Sequence, residues 1–267
     1  GWQRHARIVA GADTPSAEIA ADYVAPLYVS YVIYVLERAR REGLGRLYFL
    51  SRDSWILYEL ARLMQPAYPE IELRYLFVSR KALVWPYLGA EVNREDYLAV
   101  QQKAGTVVRS KVVKLLADLQ LTSEGLRSDF GLTFDYDRIR SRAEEKDFLD
   151  KLFEPGSAVN EHLRHCGAEK ERVAMRYFEQ EGLIDGVASG LVDIGWLGIT
   201  RLMINRLLER HGHKPVTLYY MGIRADVLPM RMGRYNSFTQ VGQLSTELTA
   251  LVEHYMSASP YESTLGY

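Results

Sequence analysis

Three short segments carry residue types suited to binding and neutralising oxyanions: Ser51-Arg52-Asp53-Ser54, Ser79-Arg80-Lys81 and Asp193-Ile-Gly-Trp-Leu-Gly-Ile-Thr200. Each follows an apolar run and precedes a helical pattern, so each reads as a loop between a strand and a helix. Arg52, Arg80, Lys81 and, further on, Arg224 supply forked or point-charge cationic donors, while Ser51, Ser54, Ser79 and Thr200 supply hydroxyls. Gly195 and Gly198 let a backbone approach a ligand, and a helix opening at Thr200 turns its first N–H groups and positive dipole end the same way. Such a set suits a ligand with more than one phosphate. Two acids, Asp53 and Asp193, lie among the cations. Each has the chemistry of a general base for a hydroxyl, of a stabiliser of a cationic sugar transition state, or of a second ligand to a phosphate-bound Mg2+. Plainer readings stand beside these: Asp53 as the ion-pair partner of Arg52 or Arg80, Asp193 as a local cap, Trp196 as a core anchor rather than a stacking platform. Glu247 and His254, on the last expected helix, are further candidates for acceptor contact or base.

Several chemistries lack their residues. A nucleophilic phosphatase of the haloacid dehalogenase kind needs Asp-x-Asp after a strand, but Asp53 is followed two places on by Trp55 and Asp193 by Gly195. Neither Gly-x-x-x-x-Gly-Lys-Ser/Thr nor Gly-x-Gly-x-x-Gly occurs, which argues against triphosphatase and dinucleotide readings. The net charge of -1 leaves no surplus of cations for a nucleic-acid duplex. Cys166, the single cysteine, excludes an internal disulfide framework and a zinc cluster and suits a reducing cytoplasm. His162 and His165 have no third metal ligand nearby.

The elements that must position these loops are those of an α/β domain. The 267 residues, 48% hydrophobic and 25% charged, are ample to bury a core. Strands are expected at Arg46 to Leu50, Ile71 to Val78, the run ending at Val192, and Val216 to Ile223. Helices alternate with them, which implies a small, mainly parallel sheet whose ligand crevice lies beyond the strands' carboxyl ends. The tyrosine-rich stretch from Ser16 to Arg41 reads as a buried core helix, since Pro26, Ser30 and four tyrosines within Tyr23 to Leu36 interrupt any membrane span. Residues 93–182 read as a largely helical insertion able to carry acceptor specificity, Met230 to Tyr235 as loop, and Leu244 to Tyr255 as the last helix. Gly1 to Thr14 reads as a linker, and Gly1 in place of an initiator Met as the start of a piece trimmed from a longer chain.

Taken together, Leu47-Tyr-Phe-Leu-Ser-Arg-Asp-Ser54, Tyr75-Leu-Phe-Val-Ser-Arg-Lys-Ala-Leu83, Val192-Asp-Ile-Gly-Trp-Leu-Gly-Ile-Thr200, the Glu247 helix and the Ser259 to Tyr267 tail resemble a bacterial family. It is the glycan phosphoribosyltransferase domain of dual-domain ribofuranosyltransferases, which work in polysaccharide biosynthesis, O-antigen or capsule, beside a haloacid-dehalogenase-type phosphatase on the same chain. The resemblance implies a Rossmann-like or divergent phosphoribosyltransferase-like fold over residues 15–267. It also implies transfer of 5-phosphoribosyl from phosphoribosyl pyrophosphate to a sugar hydroxyl of a glycan acceptor, inverting at the anomeric carbon, with pyrophosphate released. Mg2+ is the one cofactor it leaves room for, and the expected location is the cytoplasm, at the inner membrane face with the glycan assembly machinery. Asp53, Asp193 and Arg52 become the expected catalytic residues. Ser51, Ser54, Ser79, Arg80, Lys81, Gly195, Trp196, Gly198, Thr200 and Arg224 become the expected donor-binding ones. Two departures stand out: the usual pair of adjacent acids is reduced to Asp193, and Ser54 stands where related sequences often have Gly. Two other classes of protein remain open, a noncatalytic glycan- or nucleotide-sugar-binding module and a nucleotide-sugar-dependent transferase; for the latter an Asp-x-Asp metal motif is missing.

Overall fold

A computed structural model of the chain describes residues 18, 20–100, 121–133, 141–223, 235–239 and the single positions 245, 249, 252, 257, 259 and 260. The chain divides into two compact units, one built on residues 1–79 and 178–265 and the other on residues 80–177.

The first unit holds a parallel sheet. Among the described residues its strands are β1 (Arg46–Leu50), β2 (Glu72–Leu76), β3 (Ser189–Asp193), β4 (Thr217–Tyr220) and β5 (Tyr235–Ser237), in the order β2-β1-β3-β4-β5, every neighbouring pair parallel. All five residues of β1 are buried, as a run without alternation requires of a central parallel strand covered on both faces. The fifth strand corrects the expected loop ending at Tyr235. Tyr-Asn-Ser is too short to announce a strand, and of its residues only Tyr235 favours one; the strand forms because the edge of β4 supplies a ladder, which continues through the amides of Phe238 to the Tyr220 carbonyl (2.9 Å) and of Thr239 to that of Met221 (3.0 Å). Phe238 then seats against Tyr31 and Tyr34, ring centroids 5.7 and 5.5 Å apart.

Helix α1 (Ala25–Arg41) begins later than expected. A π-helical turn, Ala20–Val24, precedes it, and Pro26 sits in its first turn, where a missing N–H costs nothing. Ser16 lies outside the described residues. The buried stripe Tyr28, Tyr31, Val32, Val35, Leu36 and Ala39 packs with α2 (Trp55–Met64) on one face of the sheet, against Leu47, Phe49, Val192 and Tyr219. Alternation sends Tyr48, Leu50, Leu191, Leu218 and Tyr220, all buried, to the opposite face. The connection from β3 to β4, helix α8 (Ile199–Arg210), runs along the sheet opposite to the connection from β1 to β2. Right-handed crossovers therefore put α8 on that second face.

In the second unit the described residues form helices and short 3-10 turns: α3 (Arg80–Leu88), α4 (Arg94–Val100), α5 (Ser123–Phe130), α6 (Arg142–Leu152) and α7 (Ala158–Gln180), whose last turn belongs to the first unit. Helix α3 carries Pro86 inside it, where a proline in a strand-to-helix segment would ordinarily end the helix. Thr122 and Ser141 cap α5 and α6, the latter through a reciprocal capping box with Glu144. Residues 101–120 and 134–140 of the expected helical insertion lie outside the described residues. Among the described residues no helix is long and apolar enough to cross a membrane.

At the amino end of the sheet, buried Arg46 donates to Glu72 (2.6 Å), Asp185 (2.8 Å), the Gly182 carbonyl (2.7 Å) and the Tyr48 hydroxyl (3.1 Å). Burial opposes its charge, but the bonds to Asp185, Glu72 and Tyr48 outweigh that and push its pKa up. Both carboxylates are held below their ordinary values. For Glu72, burial opposes and Arg46 and Arg74 prevail; for Asp185, the Val187 amide and Arg46 both lower it. A depressed carboxylate contributes stability that is present above its unfolded pKa of about 4 and lost as pH falls through the folded value. Replacing Arg46 by Met is expected to cost about 2 kcal/mol at pH 7, because the two carboxylates are partly exposed, and to flatten the loss of stability below pH 4. Urea denaturation across that range checks both.

Candidate functional site

Strand β1 connects to β2 on one side and β3 to β4 on the other. Their exits diverge, and in a sheet of this order the crevice between the carboxyl ends of β1 and β3 is the place where a ligand fits. The structure brings two of the three predicted loops to it, Ser51 to Ser54 from β1 and Asp193 to Thr200 from β3. Ser79 ends the first unit, whereas Arg80 and Lys81 open α3 of the second. Arg224, Glu247 and His254 lie outside the described residues.

In the β1 loop, Arg52 and Asp53 form a forked pair, Nε to Oδ1 at 2.5 Å and Nη2 to Oδ2 at 3.0 Å. The pairing anticipated as the plainer reading of Asp53 is therefore present. The remaining carboxylate lone pairs stay open to a hydroxyl proton, and the side chains are 42% and 20% exposed, within reach of a ligand. Arg52 has φ 72, a left-handed conformation that costs a side-chain-bearing residue roughly 1–2 kcal/mol. Its amide donates to the Tyr75 hydroxyl (3.2 Å), and Tyr75 is braced edge-on by Trp55 and Phe77 at 5.2 and 5.1 Å. The strained residue is thus Arg52, while Ser54, with φ -94, needs no glycine.

The serines have other work. Ser54 is fully buried and gives its proton to the Val192 carbonyl at 3.2 Å, so it ties the two loops together instead of facing a donor. Ser51 donates to the Val78 carbonyl (2.6 Å) and accepts from the Val78 amide (3.1 Å).

In the β3 loop, Asp193 is half-buried at the strand end. Trp196 is 7% exposed and belongs to the core with Tyr28, Tyr31 and Met221, which is the anchor reading and not the platform. Gly195, with φ +139, cannot be replaced: a Cβ there would overlap the Gly222 carbonyl oxygen. The close approach it permits is to the loop after β4, whose Gly222 amide bonds the Ile194 carbonyl (3.3 Å). Gly198 takes φ 69 as the residue before α8 and, being a glycine, offers that helix no side-chain cap. The amides of Ile199, Thr200 and Arg201 precede the first intrahelical bond, Leu202 to the Gly198 carbonyl.

Sequence reasoning missed two tyrosines here. The Tyr31 hydroxyl lies 2.9 Å from the Asp193 carbonyl and 2.7 Å from that of Tyr219, and Tyr28 bonds Ser257 at 2.8 Å. Burial pushes the Tyr28 hydroxyl up, the Ser257 bond opposes this, and the charge of Asp53 adds to it. Among the described residues no group of three or more His, Cys, Asp or Glu is poised for a metal.

Gly195→Ala is expected to cost about 3 kcal/mol from overlap and strain, whereas Arg52→Gly stays within about 1 kcal/mol of wild type, relieved strain offsetting lost contacts. Parallel urea titrations separate the two. Compared with known proteins, the chain matches no family model and no curated protein.

Proposed function

We propose that the chain is a glycosyltransferase that moves 5-phosphoribosyl from phosphoribosyl pyrophosphate to a sugar hydroxyl of a bacterial surface glycan. The meeting of the Arg52-Asp53 loop and the Asp193 to Thr200 loop at one switch point carries this reading. An acid and a forked cation come from one side, an acid and an uncapped helix start from the other, and a donor with phosphates at both ends uses them all. The acceptor oxygen attacks the anomeric carbon as its bond to pyrophosphate breaks. Asp53 takes the hydroxyl proton, and in-line attack by one activated oxygen inverts the centre. Arg52 neutralises charge growing on the leaving pyrophosphate. Mg2+ carried on the pyrophosphate needs few protein ligands and keeps most of its water; Asp193, half-buried at the strand end, is a carboxylate of the right kind to hold it. A phosphatase domain on a longer chain and a position beside the membrane-bound assembly machinery belong to the same reading.

The test is an assay with phosphoribosyl pyrophosphate and synthetic glycan acceptors, read by product mass. One phosphoribosyl unit is gained by wild type, and Asp53→Asn lowers kcat about 10²- to 10⁴-fold with the fold retained. If no acceptor gains mass and calorimetry detects no donor binding, the reading falls to a glycan-binding module.

A further inference from the structure

A buried cation at the carboxyl end of the sheet makes no ion pair among the described residues. Arg201 is the third residue of α8 and 4% exposed, and its Nε has no hydrogen-bond partner. It heads the stripe Arg201, Ile204, Asn205 and Leu208, which the helical period turns toward the sheet. On that face, strand register sets Tyr220 beside Asp193. Tyr220 is 0% exposed, and its hydroxyl also lacks a partner. Tyr220 and Arg201 therefore share the carboxyl end of that face, where Arg201 opposes, and Asp193 reinforces, the rise in the Tyr220 pKa that burial causes. Burial lowers the pKa of Arg201, and Tyr220 and Glu209 offset it. Two buried donors without partners among the described residues, on the face beneath a helix start whose N-cap is a glycine, are groups that an anion would satisfy.

We infer that Arg201, Tyr220 and the first amides of α8 form a subsite for a phosphate dianion, either free or as the monoester of a sugar phosphate. A tetrahedral oxyanion has enough acceptor positions for the guanidinium, the phenol and the amides together, whereas a neutral sugar brings no compensating charge. The inference deepens the proposed function and rests on it only for the identity of the molecule that carries the phosphate.

Thermal unfolding of the whole chain with inorganic phosphate, ribose 5-phosphate, ribose or acetate tests it, using wild type, Arg201→Met and Tyr220→Phe. Wild type is expected to gain Tm with inorganic phosphate and ribose 5-phosphate and not with ribose or acetate. A larger gain with ribose 5-phosphate assigns the site to a monoester, and equal gains assign it to free phosphate. Both variants should melt at or above wild type without ligand, since each removes an unsatisfied buried group, and should bind about 10- to 100-fold more weakly. Absence of any phosphate-dependent gain in wild type, or a full gain in both variants, overturns the subsite. A Met variant that fails to fold refutes the uncompensated charge and leaves Tyr220→Phe to decide the phosphate site. Transfer from phosphoribosyl pyrophosphate is read separately: a phosphate-dependent Tm gain without turnover sinks the transferase and keeps the subsite. Turnover with unchanged donor affinity in both variants does the reverse.

Discussion

The end of a parallel strand poses a hydrogen-bond problem on which the rest of this site depends. Where β1 and β3 part, the ladder thins to long bonds, from the Ser54 amide to the Leu50 carbonyl and from the Met221 amide to the Asp193 carbonyl, both 3.3 Å, and each carbonyl keeps a lone pair for a further donor. The chain answers with hydroxyls. Ser54 reaches Val192, Ser51 reaches Val78, and Tyr31, fully buried on α1, sits between the carbonyls of Asp193 and Tyr219. One phenolic proton shared between two strand ends fixes the separation of β3 and β4 at the point where the Asp193 loop departs. The crevice is held open by backbone accounting before any ligand is considered.

That constraint sorts the polar residues. The hydroxyls of Ser51 and Ser54 bond backbone groups at the strand ends. The Arg52-Asp53 fork, the half-buried Asp193 and the start of α8 are the charged or dipolar groups at the same ends. The left-handed backbone of Arg52 is consistent with this division. The Tyr75 hydroxyl and the rings around it hold the loop in a conformation that Arg52 alone would leave.

The sheet was legible because β1, β2, β3 and β4 are apolar runs separated by helical periods, a pattern few arrangements other than a parallel sheet accommodate. The short β5 was not, because its pairing is dictated by the edge of β4 and not by Tyr-Asn-Ser itself. Pro26 lies inside the helix expected from Ser16 to Arg41, yet it sits in the first turn of α1. At the site, residue type located the loops but could not tell a serine that binds from one that ties, since both readings need the same hydroxyl. Trp196 shows the same limit, since it is buried in a core shared with Tyr28 and Tyr31, residues distant in sequence. Arg201 did leave a signal. Ile204 and Leu208, three and seven residues on, place it on the inward stripe where a cation is out of keeping.

The two buried arginines show why that signal carries weight. Arg46, at the amino end of the sheet, is 6% exposed and has four partners. Arg201, at the carboxyl end, is 4% exposed and its Nε has none. The first is what folding alone produces, a charge enclosed only with its neutralising shell. The second combines unfavourable terms: burial without an ion pair among the described residues, an unmet donor, and a place in the first turn, where the helix dipole repels a cation. A single anion at the start of α8 reverses all of them at once, and no apolar packing does. The asymmetry between the ends of the sheet follows the asymmetry of parallel α/β architecture, in which the amino end serves stability and the carboxyl end serves a ligand.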